Sequence, residues 1–122
     1  MEPKILLVGK IGPIMKLLQD ELNDNYGRNV VGASLPDEVE KIIGSEAIDL
    51  VILGAGFDDT ARDGLASRIT EIDPTLDQFL VPRVGEKSPT KLVDIVNSKA
   101  IEWKFMKALG GKPGDQMQHP KT

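Results

Sequence analysis

Short apolar runs alternate along this chain with stretches in which apolar residues recur every three or four positions. Such runs are typical of strands buried on both faces of a parallel sheet. They occupy residues 4–8, 29–34, 48–53 and 78–81. The stretches between them have amphipathic helical spacing. The first begins at Pro13 and reaches the polar segment 23–27, where a helix end and a turn are expected. The alternation predicts right-handed βαβ crossovers and therefore a flavodoxin-like α/β sandwich of three layers, with a parallel sheet of four strands.

The last third of the chain does not continue this alternation cleanly. Apolar residues of segment 89–109 fit one helical stripe, which predicts a long C-terminal helix. A fifth strand over residues 100–105 is the alternative, but it leaves too few apolar residues for a covering helix. We predict one α/β domain over residues 1–110. Residues 111–122, with Met117 as their one apolar side chain, are expected to form a disordered tail.

Composition narrows the functional classes. The chain has no cysteine and one histidine, His119, which argues against thiolate chemistry, Cys-based zinc sites, His-rich metal sites and a Ser-His-Asp hydrolase. The formal net charge of −4 argues against nucleic-acid binding. No stretch of 18 apolar residues and no leader-like segment occurs. We therefore expect a cytoplasmic protein that contacts neither membrane nor nucleic acid.

Two short stretches resemble the receiver domain of two-component response regulators. They are IDLVILG at residues 48–54 and DGL at residues 63–65. The resemblance extends over residues 4–84, about two thirds of the chain. In that family the third strand ends in an aspartate that accepts a phosphoryl group. Acidic residues after the first strand hold Mg²⁺.

The chemical positions implied by the resemblance are not occupied by acids in this sequence. The acceptor position falls on Gly54, and the metal-binding positions fall on Gly9 and Lys10. Glycine offers no oxygen for phosphoryl transfer, and a lysine repels Mg²⁺. The resemblance therefore implies a pseudo-receiver that is not an enzyme, needs no cofactor and acts by contact with an unidentified signalling protein.

An alternative function is the binding of a small molecule, nucleotide or other anion at the carboxyl end of the sheet, where ligands of open α/β sheets bind. Two loops would form that site. Its candidate residues are Gly9, Lys10, Gly12, Gly54, Asp58 and Asp59. A tight turn with a solvated lysine explains the first loop without a ligand and is the favoured interpretation. In the second loop, Asp59 or Thr60 is expected to cap the following helix. No metal site is predicted.

A third candidate is a protein interface. Without a fifth strand the fourth strand is an edge, whose backbone groups need a cover. We expect a homodimer through this strand and the C-terminal helix. The candidate contacts are Phe79, Val81, Trp103, Phe105 and Met106. Burial of the Trp103 stripe against the domain's own sheet is the competing interpretation.

Overall fold

A computed structural model describes residues 2–9, 12–54, 57–81 and 89–110. Strands and helices alternate throughout these ranges, as the sequence predicts. In chain order they are β1 Lys4–Val8, α1 Gly12–Tyr26, β2 Asn29–Ala33, α2 Pro36–Ser45, β3 Leu50–Leu53, α3 Asp59–Ile72, β4 Asp77–Leu80 and α4 Pro89–Ala108. Within the described ranges, no helix is long and apolar enough to cross a bilayer.

The four strands form one parallel sheet in the order β2-β1-β3-β4. Helices α1 and α4 pack together on one face, and α2 and α3 on the other. This confirms the predicted flavodoxin-like α/β sandwich, with four strands in its sheet. The central strands are apolar on both faces because successive side chains point in opposite directions. Ile52 of β3, for example, enters the cluster beneath α1 and α4, while Val51 enters the cluster beneath α2 and α3.

Helix α1 is longer than predicted. The polar residues after Leu22 do not end it, and it continues to Tyr26. Asn23 does not compete for the backbone of its own helix, because its amide binds the backbone of Val30 instead. The helix ends at Gly27, whose φ of 66° suits glycine, and Arg28 N–H donates back to the Leu22 carbonyl at 3.0 Å.

The C-terminal segment is helical, so residues 100–105 do not form a fifth strand. Val96, Ala100 and Trp103, spaced by four and three positions, lie on one helical face and are almost completely buried. They join the core cluster beneath α1 and α4. The predicted long helix is thus confirmed, while the predicted tail lies outside the described residues.

A network of charged side chains at the amino end of the sheet connects α4 with the start of the chain. Glu2 accepts hydrogen bonds from Arg28 Nη1 at 3.0 and 3.1 Å and from Lys104 Nζ at 3.0 Å. Arg28 also donates from Nε to Asn97 Oδ1 at 2.7 Å. Burial raises the pKa of Glu2, but the bonds from Lys104 and Arg28 outweigh it and hold that pKa below the ordinary value.

Substitution of Glu2 by glutamine is expected to lower the free energy of unfolding at pH 7 by about 1 kcal/mol or less, because the charges are partly exposed. Since the folded-state pKa of Glu2 is lowered, this contribution is present above the ordinary glutamate pKa of 4.5. It is lost as the pH falls through the folded-state value. Urea unfolding at pH 7 and pH 3 should therefore show a difference between the two proteins that shrinks in acid. Glu21→Gln, outside this network, is the control, and a Glu2→Gln difference that persists unchanged at pH 3 would contradict the assignment.

Candidate functional site

The carboxyl ends of β1 and β3 lie side by side and continue into two buried glycines. Gly9 N–H donates to the Ala33 carbonyl at 3.0 Å, and Gly54 N–H donates to the Val8 carbonyl at 2.8 Å. Gly9 and Gly54 are the residues that the receiver resemblance aligns with acidic positions. In this chain they extend the hydrogen-bond ladder of the sheet.

Neither glycine has free space for a side chain. A Cβ atom at Gly54 would lie 3.0 Å from the Val8 carbonyl oxygen, which is fixed in a central strand. A Cβ atom at Gly9 would overlap the sulfur of Met15, a buried residue in the first turns of α1. A side chain at Gly54 is therefore opposed by the backbone of a central strand, whereas one at Gly9 is opposed only by the flexible end of the Met15 side chain.

An arginine joins the carboxyl ends of β3 and β4. Arg62 of α3 is only 8% exposed, and its Nη1 donates to the Gly54 carbonyl at 3.2 Å and to the Val81 carbonyl at 2.7 Å. Since one guanidinium nitrogen carries two hydrogens, it can serve both carbonyls at once. The positive charge of Arg62 is thus buried beside the position aligned with the phosphoacceptor.

The sequence suggests Arg62 as a charge partner for the Asp58–Asp59 loop, but it does not directly show that Arg62 binds the strand ends. A signal was nevertheless present, because Arg62 precedes Leu65 and Ile69 by three and seven positions and shares their buried face of α3. A charged residue on the apolar face of a helix needs polar partners, and here the strand ends supply them.

Two neighbouring acidic residues lie at the start of α3, and one of them caps the helix. Asp58 is the N-cap, with its Oδ1 accepting from Ala61 N–H at 2.8 Å. Asp59 is the first residue of the helix. The predicted capping is therefore present, but on Asp58 rather than on Asp59 or Thr60. In the ranges that the structure describes, no group of three or more His, Cys, Asp or Glu side chains could hold a metal ion.

The remaining candidates for a ligand site are only partly described. A Cβ atom at Gly54 would lie 3.7 Å from the Cα atom of Gly9, and Gly12 is the first residue of α1. Lys10, the proposed counter-charge for an anion, lies outside the described residues. The geometry of the first loop consequently adds nothing to the anion-binding alternative.

The five interface candidates separate into buried and accessible residues. Val81 is fully buried and Trp103 is 2% exposed, both in the core cluster beneath α1 and α4. Phe79 and Met106 are half-buried, and Phe105 is 63% exposed. The accessible part of the predicted interface therefore consists of Phe79, Phe105 and Met106.

Comparison with known proteins gives no family for this chain. Neither the protein-family models nor the curated proteins that were searched gave a match.

Proposed function

We propose that this chain is a non-catalytic, receiver-like domain that accepts no phosphoryl group and acts in signalling through protein–protein contacts. The observation that carries the proposal is the carboxyl end of the sheet, where Gly9 and Gly54 extend the hydrogen-bond ladder and a Cβ atom at Gly54 would lie 3.0 Å from the Val8 carbonyl oxygen. The receiver resemblance supplies the signalling context, and the edge geometry supports the loss of the reaction.

The chemistry of phosphoryl transfer supports this proposal. The transfer needs an acceptor oxygen and a metal ion that neutralises charge on the transferred group. The described edge presents backbone groups paired within the sheet and the buried guanidinium of Arg62. A buried cation at this position disfavours a second cation such as Mg²⁺.

Protein contact requires an accessible surface with apolar character, and α4 has one. Ile101 and Phe105 of α4 and Leu109, directly after its last residue, are each more than half exposed and lie four positions apart, so they form a stripe along its outer face. We infer that a cytoplasmic signalling protein and a second copy of this chain, the latter through β4 and α4, are its partners. Exposed aromatic and aliphatic side chains favour such contacts over nucleic acid.

Treatment with acetyl phosphate and Mg²⁺, followed by intact-mass measurement, tests the proposal. We expect no gain of a phosphoryl group in the wild-type chain, because Gly54 stands at the acceptor position of the resemblance and Gly9 and Lys10 stand at its metal positions. A catalytically intact receiver domain treated in parallel is the positive control. A stoichiometric mass increase on an internal aspartate of the wild-type chain would overturn the proposal.

A further inference from the structure

The two edges of the sheet differ in how their backbone groups are satisfied. At β2, the side chain of Asn23 binds both backbone groups of Val30. Its Oδ1 accepts from the Val30 N–H at 2.8 Å, and its Nδ2 donates to the Val30 carbonyl at 2.9 Å. The amide thus occupies the place that a further strand would take at this edge.

At the β4 edge, no side chain in the described part of the chain binds the outward backbone groups in this way. Val81 N–H donates to the Leu53 carbonyl, and β4 runs parallel to β3. Because the backbone groups of successive residues point to opposite sides of a strand, Gln78 and Leu80 direct their N–H and C=O groups away from β3. No described residue forms a hydrogen bond with these four outward groups.

We propose that β4 pairs antiparallel with β4 of a second copy, around a two-fold axis at Phe79, and forms a continuous eight-stranded sheet. This inference rests on the proposed non-catalytic role and specifies its mode of self-association. Edge-to-edge pairing of identical strands by a two-fold axis is necessarily antiparallel. Gln78 then faces Leu80 of the second copy, and the two symmetric pairs exchange four N–H···O bonds.

Phe79 makes this register self-complementary. It is half-buried and packs against the cluster beneath α1 and α4. At the axis it faces Phe79 of the second copy in a non-hydrogen-bonded pair, where the Cα atoms are about 4.5 Å apart. Aromatic pairs at such positions are among the favourable cross-strand contacts.

Charge at the same edge is compatible with a second copy as the occupant. Lys99 Nζ lies 4.2 Å from the centroid of the Phe79 ring and 3.0 Å from Glu102 Oε1. The two charged residues are three positions apart, or about 4.5 Å along the helix axis. An axis at Phe79 places two such pairs beside each other on antiparallel copies of α4. Each Lys99 near the axis is paired with Glu102 of its own chain, so the two ammonium groups are neutralised within their own copies.

Light scattering over a dilution series, with two substitutions at one position, tests the pairing. Leu80→Pro removes an outward N–H and no bond within the sheet, so an edge strand tolerates it. Leu80→Ala keeps the N–H and is the matched control. We expect a dimer for the wild-type chain and for Leu80→Ala. We expect a dimer dissociation constant raised about 100-fold or more for Leu80→Pro, with circular dichroism unchanged.

If Leu80→Pro fails to fold, amide hydrogen exchange in the wild-type chain tests the strand pairing instead. The Gln78 and Leu80 amides are expected to exchange more slowly as protein concentration rises, whereas the Asn23-bound Val30 amide stays constant. A wild-type monomer at every concentration, or a dimer in which both outward amides remain unprotected, would overturn the pairing. Phosphoryl acceptance is measured independently, so failure of the pairing and failure of the proposed function are distinguishable.

Discussion

Replacement of Trp103 by alanine is expected to lower the free energy of unfolding by about 3–5 kcal/mol. The indole is 2% exposed and lies in the apolar cluster between α4, α1 and the sheet. Truncation removes a large apolar contact area and leaves a cavity that the flanking strands cannot fill. Because domains of this size are typically stable by about 5–15 kcal/mol, the loss should be evident as a large decrease in the urea midpoint.

Phe105→Ala is the matched control for this prediction. Phe105 is an aromatic residue on the same helix, two positions away, but it is 63% exposed. Its truncation is expected to change stability by about 0.5 kcal/mol or less. Equal losses in the two variants would contradict the placement of Trp103. A Trp103→Ala variant that keeps its stability and loses only self-association would instead place the indole in an interface.

The fold was predictable because the central strands are buried on both faces. Unbroken apolar runs such as Leu50–Leu53 strongly indicate parallel strands in a chain whose runs alternate with helical spacing. The edge strand β4 gave a weaker signal, since Asp77 and Gln78 are polar although each is at least nine-tenths buried. Gln78 is accommodated because its Nε2 donates to the Ala66 carbonyl and to Thr70 Oγ1 of α3. Such contacts between elements are invisible to periodicity.

The candidate site was predictable only in part. Glycines at positions 9 and 54 are evident in the sequence, where the receiver resemblance aligns them with acidic positions. The contacts that fill the edge are not evident. Arg62 reaches Val81 across 19 residues. That contact depends on β4 lying next to β3, which local sequence does not specify. The hydrogen bonds of Asn23 with Val30 are not evident either, because the polar segment that contains Asn23 indicates only a turn.

Substitution of Arg62 by methionine is expected to lower the free energy of unfolding by about 2–3 kcal/mol. Methionine fills a similar volume, so the change mainly removes the donor shared by the carbonyls of Gly54 and Val81. Leaving a buried acceptor unsatisfied costs about 1–3 kcal/mol. Removing a buried cation returns part of that cost, because its desolvation is no longer required. The cost of leaving two carbonyls unsatisfied is larger than this saving, because the methionine side chain cannot donate a hydrogen bond to either of them.

Arg62→Lys separates the loss of charge from the loss of hydrogen bonds. A lysine keeps the cation, but its single ammonium lacks the planar geometry with which Arg62 serves two strand ends. We expect an intermediate loss of stability in urea unfolding for Arg62→Lys. We also expect faster amide exchange at Val81 in both variants, because β3 and β4 separate more readily at their carboxyl ends. Full stability in Arg62→Met would mean that the two carbonyls are satisfied without the guanidinium.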